Sequence, residues 1–193
     1  MVQAIVFDCF GVLATDGWIP FKRQHFGGKP QLEQQATDLN KQANAGLMSA
    51  DDFVDEVAQL AHVPSQTVHQ AVTRSAPNEE LLTYIRQELK PHYKIGLLSN
   101  AGADMLQAIF SDEDRALFDA VALSYQTGHV KPDARAYHTL AEDLGVETEA
   151  CIFVDDQERH CSGARAAGMQ AIEYTSFEDF RTELSVLLGN TKE

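Results

Sequence analysis

Six polar residues of this 193-residue chain follow short apolar runs, five of them within two residues and Lys131 after the segment Tyr125–His129. They are Asp8, Ser99, Asn100, Lys131, Asp155 and Asp156. Short, continuous apolar runs are typical of the buried strands of a parallel sheet. Because the carboxyl ends of parallel strands meet at one edge of the sheet, where ligands bind, we expect these six side chains to lie close together.

Three of the six are carboxylates, which a metal ion can hold together. Asp8, Asp155 and Asp156 have only Lys131 as an obvious cationic neighbour. Two like charges about 4 Å apart repel by roughly 4 kcal/mol at an effective dielectric constant of about 20. A hard dication bound through oxygen removes that repulsion, and Mg²⁺ commonly binds one or two carboxylates together with phosphate and water. The sequence therefore predicts a magnesium site at this edge of the sheet.

The other polar groups suit a phosphoryl group. Lys131 and the Ser99 hydroxyl can neutralise and donate to phosphoryl oxygens, and the Asn100 amide can orient the group. An aspartate beside a metal and a phosphate is placed for in-line attack on phosphorus. We therefore expect Asp8 to form an aspartyl-phosphate that water then cleaves.

Five apolar runs are predicted to form the strands that position these residues. They are Ala4–Phe7, Ile95–Leu98, Ala120–Leu123, Ile152–Val154 and Ala171–Tyr174. Helical patterns separate the last four, including one that ends at Leu144 with Gly145 as its C-terminal cap. This alternation indicates an α/β fold, a Rossmann-like parallel sheet with right-handed crossovers.

Residues 15–80 differ from the rest, because they contain no strand pattern and are rich in Gln, Asn and Ala. Capping patterns predict one helix after Ser49 and another from about Ser65. Asn78 is the predicted N-cap of the next helix, which ends before Pro91. We therefore predict a small helical cap over residues 15–80, inserted into a core domain of residues 1–14 and 81–193.

Composition restricts partners and location. The chain has 15 Lys and Arg against 29 Asp and Glu, a formal net charge of −14. Such a charge repels nucleic acid and anionic membranes, so we expect a small-molecule partner instead. The three cysteines fit neither a disulfide framework nor a zinc site. With no signal-peptide pattern and no bilayer-length apolar run, the sequence predicts a cytoplasmic protein.

Four segments resemble the motifs of the haloacid dehalogenase superfamily, subfamily I. In the family's order they are VFDCFGVL, LLSN, GHVKPDARAY and FVDDQERHCSGARAAGM. The resemblance implies that Asp8 is the nucleophile and a metal ligand. It also implies metal ligands at the Phe10 backbone carbonyl and Asp156, with Asp155 acting directly or through water. The phosphoryl group would be bound by Ser99, Asn100 and Lys131.

Phe10 departs from the family pattern. Family phosphatases usually have an aspartate at this position as general acid and base, and an aromatic ring cannot transfer a proton. Two functions stay open beside a magnesium-dependent phosphatase of a small phosphorylated metabolite: a hydrolytic 2-haloacid dehalogenase, and a non-catalytic protein that binds a phosphorylated metabolite. The paired Asp155 and Asp156 favour the phosphatase, because dehalogenases of this superfamily work without magnesium.

The seven histidines are scattered along the chain and show no metal-ligand spacing. We expect them to have packing or surface roles. This expectation includes His160, which lies in the fourth of the segments above.

Overall fold

The computed structural model describes residues 1–101 and 106–189, and a five-stranded parallel sheet lies at its centre. The strands are β1 Ala4–Phe7, β2 Lys94–Ser99, β3 Ala120–Leu123, β4 Cys151–Asp155 and β5 Gln170–Glu173. Their order across the sheet is β3-β2-β1-β4-β5, and each neighbouring pair is parallel. All five predicted strands and the predicted α/β fold are confirmed. The ends of β2, β4 and β5 differ from the predicted bounds by one residue.

The described ranges contain eleven α-helices. They are α1 Trp18–Phe26, α2 Pro30–Asn44, α3 Ala50–Ala61, α4 Ser65–Thr73, α5 Glu79–Tyr84, α6 Leu106–Ile109, α7 Asp112–Arg115, α8 Ser124–Thr127, α9 Ala134–Leu144, α10 Glu158–Ala166 and α11 Phe177–Leu187. Helix α5 continues as a π-helical turn over Ile85–Leu89, and a 3-10 turn, Thr148–Ala150, leads into β4. Across the two described ranges, we find no helix long and apolar enough to cross a membrane.

The central strand β1 marks the point where the order of the strands reverses. After β1 the chain places β2 and β3 on one side of it, and then crosses over to place β4 and β5 on the other. Such a reversal leaves a crevice beyond the carboxyl ends of the strands. Asp8 directly follows β1, Ser99 ends β2 and Asp155 ends β4, so all three stand at this crevice.

Alternate side chains of β1 fill two hydrophobic cores, one on each face of the sheet. Ile5 and Phe7 pack with residues of α5, its π-helical turn and α11. Ala4 and Val6 pack with residues of α9 and α10 on the opposite face. All four β1 side chains are fully buried, and burial of one large aliphatic side chain contributes about 1.5–3 kcal/mol. This burial on both faces makes the sheet a firm support for the loops at its edge.

Residues 15–80 contain helices α1 to α4, which share a hydrophobic cluster of their own. Phe21, Phe53 and Val57 are buried in it, and the Trp18 ring packs edge-on against Phe53 with centroids 5.3 Å apart. The predicted helices after Ser49 and from Ser65 are confirmed as α3 and α4. The predicted helices did not include α1 and α2. In α1 the apolar residues Trp18, Ile19 and Phe21 stand together in the first turn and give no helical period. In α2 the residues Leu32, Ala36, Leu39 and Ala43 do recur at helical spacing, a signal that was not recognised.

The two segments that join residues 15–80 to the sheet run side by side. Thr15 N–H donates to Ala76 O at 2.9 Å, and Ala76 N–H donates to the Thr15 hydroxyl at 2.9 Å. Asn78, the predicted N-cap of α5, accepts from Leu81 N–H through Oδ1 at 3.3 Å. Its Nδ2 donates to Val12 O at 3.0 Å. Asn78 therefore caps a core helix and ties it to the loop that follows β1.

We expect Asn78→Ala to lower the free energy of unfolding by about 2–4 kcal/mol. Loss of an N-cap costs about 1 kcal/mol, and a buried acceptor left without its donor costs about 1–3 kcal/mol more. Urea unfolding should show a lower midpoint with an unchanged slope. Asn78→Ser is the matched control, because serine keeps the cap but does not reach Val12. A loss below about 0.5 kcal/mol for Asn78→Ala, within the range of ordinary surface substitutions, would contradict this account.

Candidate active site

Asp8 enters the crevice directly from β1 and is 5% exposed. Its N–H donates to Val154 O at 2.8 Å, which continues the pairing of β1 with β4. Carboxylate oxygen Oδ1 accepts from Cys9 N–H at 2.7 Å and lies 2.9 Å from Lys131 Nζ. Burial raises the pKa of Asp8 to about 7 although Lys131 opposes the rise, and the site's other carboxylates add to it. The surroundings of Asp8 therefore favour an additional positive charge.

Lys131 reaches the crevice from the loop after β3, and its side chain has no exposed surface. Nζ lies 2.6 Å from Asp155 Oδ2 and 2.9 Å from Asp8 Oδ1. It also stands 5.1 Å from the centre of the Phe153 ring. Burial alone would lower the pKa of Lys131, but the two carboxylates outweigh burial and raise it. The ammonium group thus joins the carboxylates that follow β1 and end β4.

The Asn100 side chain holds the loop that carries Lys131. Its Oδ1 accepts from Lys131 N–H at 2.8 Å, and its Nδ2 donates to Lys131 O at 3.1 Å. Both polar atoms of the amide thus face the Lys131 backbone. Asn100 therefore positions Lys131, while the direct contact with a phosphoryl group expected from the sequence stays a prediction.

Both oxygens of Asp155 are engaged by protein donors. Oδ1 accepts from Gln157 N–H at 2.9 Å and lies 3.0 Å from His160 Nδ1, while Oδ2 faces Lys131. Burial alone would raise the pKa of Asp155, but Lys131 and the hydrogen bond with His160 together lower it. Asp155 is therefore fixed as the ionised partner of Lys131.

The expectation of a packing or surface role for His160 missed this contact. His160 is 2% exposed and lies in the first turn of α10, which brings Nδ1 back to the carboxylate that precedes the helix. A carboxylate accepts only, so this pairing assigns the proton to Nδ1. The separation of five residues between Asp155 and His160 was the only indication in the sequence. Without the geometry of the intervening turn, that separation does not predict the contact.

Ser99 and Asp156 present buried polar atoms without protein partners. Within the described ranges, Ser99 Oγ and Asp156 Oδ1 have no hydrogen-bond partner. Burial and the neighbouring Asp155 raise the pKa of Asp156. Gly11 approaches Asp156 so closely that a Cβ added to it would lie 2.6 Å from Asp156 Cγ. Because unpaired buried polar groups are costly, both atoms are suited to receive a ligand.

The donor groups around Asp8 suit a hard divalent cation. Two hydrogen bonds close the loop after β1, from Ala14 N–H to Cys9 O at 2.8 Å and from Gly11 N–H to Ala14 O at 2.7 Å. Neither uses the Phe10 carbonyl. That carbonyl and the carboxylates of Asp8 and Asp156 offer only oxygen, which Mg²⁺ prefers.

A second grouping of possible ligands is less suited to a cation. Asp8, Asp155 and His160 offer ligand atoms within 4.8 Å of one another. The Lys131 ammonium already contacts both carboxylates of this group, so a further cation there would meet its positive charge.

The Phe10 ring is partly buried and packs against the hydrophobic core on the α5 and α11 face of the sheet. It therefore has a packing contact in the place where family phosphatases usually carry an acid. The ring supplies no group that transfers a proton.

Comparisons with known proteins identify the family to which the sequence is similar. The model of the haloacid dehalogenase-like hydrolase family matches residues 2–168. A phosphatase from Mycobacterium tuberculosis is 31% identical over 192 residues, covering 88% of this chain and 86% of that protein. A D-ribitol-5-phosphate phosphatase from Bacteroides thetaiotaomicron is 26% identical, covering 98% of this chain and 100% of that protein.

Solved structures share the fold. One enzyme of the family from Bacteroides thetaiotaomicron, solved with magnesium and inorganic phosphate, superposes with a TM-score of 0.72 at 21% identity, covering 93% of this chain and 99% of that one. An L-2-haloacid dehalogenase from Xanthobacter autotrophicus superposes with a TM-score of 0.67 at 24% identity, covering 95% of this chain and 82% of that one. At these identities the likeness extends to the fold alone.

We expect substitutions of His160 to separate a positioning role from simple packing. His160→Asn keeps an N–H donor near the position of Nδ1, whereas His160→Gln moves it and His160→Leu removes it. Loss of a group that orients a site residue typically lowers activity about 10–100-fold. We expect that loss in kcat for the Leu and Gln variants, with KM within about threefold. The Asn variant should retain most of kcat.

The measurement is steady-state hydrolysis of p-nitrophenyl phosphate, together with a melting temperature for each variant. Equal losses of kcat in the Asn and Leu variants would show that the contact with Asp155 does not matter. If kcat fell in proportion to the melting temperature across the three variants, the role of His160 would be packing instead.

Proposed function

Because the chain belongs to the haloacid dehalogenase-like hydrolase family, we propose that it is a magnesium-dependent phosphatase acting on a small phosphorylated metabolite through Asp8. The observation that carries this proposal is the buried oxygen of Asp156, which has no hydrogen-bond partner in the described part of the chain. A carboxylate oxygen in this position can coordinate a cation, which a dehalogenase of this superfamily does not use. The phosphatase names of the two relatives support the same choice.

In the proposed reaction, Asp8 and water act in two steps. A carboxylate oxygen of Asp8 attacks phosphorus, the bond from phosphorus to the ester oxygen breaks, and an aspartyl-phosphate forms. The departing oxygen takes a proton from water. A second water then cleaves the aspartyl-phosphate, releases inorganic phosphate and restores Asp8.

Residues around Asp8 bind and orient the phosphoryl group in this scheme. The Lys131 ammonium contacts Asp155, and the Asn100 side chain holds the Lys131 backbone. In this position, the ammonium offsets negative charge beside the nucleophile. The unpartnered Ser99 hydroxyl donates to a phosphoryl oxygen. Mg²⁺ bound by Asp8, Asp156 and the Phe10 carbonyl would supply further positive charge to the phosphoryl oxygens.

Residues 15–80 are proposed to act as a cap over this site. Helices α1 to α4 share their own hydrophobic cluster, and the paired connecting segments at Thr15 and Ala76 enter and leave at the loop after β1. A cap in this place borders the leaving group of the substrate. The D-ribitol-5-phosphate phosphatase relative makes phosphate esters of short polyols the first substrates to test.

We expect Asp8→Asn to abolish phosphate release and to leave a folded protein. The amide is nearly isosteric with the carboxylate but is neither a competent nucleophile nor an anionic metal ligand. Phosphate release from a panel of sugar and polyol phosphates with millimolar Mg²⁺ measures the effect. The control is Asp51→Asn, an exposed carboxylate at the start of α3, which should keep full activity. Hydrolysis at the wild-type rate by Asp8→Asn would exclude the covalent mechanism.

We also expect Mg²⁺ to stabilise the fold and Asp156→Ala to lose most of that effect. A ligand that binds only the native state adds about 2.7 kcal/mol at a hundredfold excess over its dissociation constant. For a chain of this size, that raises the melting temperature by roughly 5–10 °C. Asp143→Ala is the control, because Asp143 is an exposed carboxylate on α9.

Removal of the metal distinguishes the phosphatase from the dehalogenase. A chelator should abolish phosphate release, and added Mg²⁺ should restore it. If the melting temperature did not respond to millimolar Mg²⁺ and the protein released halide from 2-chloropropionate without metal, the phosphatase proposal would be wrong.

A further inference from the structure

A cavity of about 450 Å³ lies between the loop after β1 and helix α1. Gly11 and Asp156 line it from the side of the sheet. Asp16 and residues of α1, among them Ile19 and Arg23, line it from the insertion. The cavity therefore touches a carboxylate of the candidate metal site at one side and the first helix of residues 15–80 at the other. A volume of this order is large enough for a small ligand.

Helix α1 presents two different faces. Phe21 and Phe26 are buried in the hydrophobic cluster of the insertion. Ile19 and Arg23, four residues apart and so on one side of the helix, line the cavity. The packing of the apolar face on the insertion therefore fixes which side chains border the cavity.

The charged groups on the cavity wall differ in their partners. Asp16 Oδ1 accepts from Trp18 N–H at 2.7 Å and from Ile19 N–H at 3.1 Å, so that oxygen holds the start of α1. Asp156 belongs to the candidate metal site. Arg23 is the one basic residue that lines the cavity, and its guanidinium forms no ion pair with any residue in the described ranges.

An unpaired arginine beside the site contrasts with the charge of the whole molecule. The net charge is −14. Arg86 and Arg165 pair with nearby carboxylates, whereas the exposed side chain of Arg23, like that of Arg74, forms no ion pair in the described ranges. A guanidinium binds carboxylate and phosphate oxygens through two parallel hydrogen bonds. Arg23 is therefore suited to an anionic group of a ligand in the cavity. The apolar side chain of Ile19 offers a contact for carbon atoms beside it.

We propose that this cavity receives the leaving group of the substrate and that Arg23 binds a carboxylate or a second phosphate at the far end of that group. The proposal rests on the phosphatase function proposed above. It defines the substrate class as phosphate monoesters of short carbon chains that carry another anionic group.

The test compares three esters of equal chain length with Mg²⁺ and the full chain. They are propyl phosphate, 3-phosphonooxypropanoate and propane-1,3-diyl bisphosphate, which end in a methyl, a carboxylate and a second phosphate. For the wild type, we expect kcat/KM to be at least about tenfold higher for one of the two anionic esters than for propyl phosphate. The preferred ester identifies the anion as carboxylate or phosphate.

Arg23→Gln should reduce that preference about 10–100-fold, the loss expected when a charge-assisted hydrogen-bonded pair is removed. Arg23→Lys should restore part of it, because lysine keeps the charge but not the two parallel donors. Lys41→Gln is the matched control, since it removes one exposed positive charge from the insertion outside the cavity. It should leave the preference unchanged.

Two results would overturn the proposal: equal kcat/KM for the three esters in the wild type, or an equal loss on all three in Arg23→Gln. Failure of the phosphatase function is separable, because then none of the esters is hydrolysed. In that case thermal shift with Mg²⁺ and 4-phosphonobutanoate still tests the subsite, because this analogue of 3-phosphonooxypropanoate has a methylene group in place of the ester oxygen and cannot be hydrolysed. Stabilisation of the wild type that is lost in Arg23→Gln supports it, and no difference between the two proteins contradicts it.

Discussion

The buried ammonium of Lys131 is the interaction on which the rest of the site depends. A charged group with no exposed surface is stable only when close partners replace water, and Lys131 has two, Asp8 at 2.9 Å and Asp155 at 2.6 Å. Removal of one partner from such a pair typically costs about 3–5 kcal/mol, because a buried charge is left unpaired. Asp156 adds a third carboxylate nearby, so the site as a whole carries excess negative charge. That excess is the physical basis for proposing a divalent cation here.

The strand order brings these charges together at little cost. β1 lies between β2 and β4, so Asp8 and Asp155 meet at the ends of adjacent strands. Lys131 reaches them from the loop between α8 and α9. Two further contacts fix the positions of Lys131 and Asp155. The Asn100 amide holds the backbone of Lys131, and His160 holds the carboxylate of Asp155. Neither of these two residues contacts Asp8 by a hydrogen bond in the described structure, yet both determine where the Lys131 ammonium lies beside it.

The sequence predicted what depends on burial and chain order, and it missed what depends on side-chain pairing. The run Ala4–Phe7 gave β1 with its correct bounds, because a strand buried on both faces has a continuous apolar pattern. The position of Asp8, Ser99 and Asp155 at strand ends predicted their meeting. The hydrogen bonds of Asn100 with the Lys131 backbone and the contact of His160 with Asp155 depend on loop geometry and rotamers. A hydrophobic pattern in the sequence does not contain that information. Helix α1 was missed because its apolar residues stand together in the first turn and give no helical period. The helical spacing of Leu32, Ala36, Leu39 and Ala43 did indicate α2 but was not recognised.

The separate hydrophobic cluster of residues 15–80 has an evolutionary consequence. Phe21, Phe53 and Val57 pack with one another, whereas the two cores of the sheet are filled by other residues. Substitutions on the cavity side of α1 therefore leave untouched the packing that positions Asp8. If the cavity receives the leaving group as proposed, related sequences can diverge at positions such as Ile19 and Arg23 and acquire new substrates while they retain one chemistry. Selection can then act on substrate recognition in the cavity and on the reaction at Asp8 as two nearly independent traits.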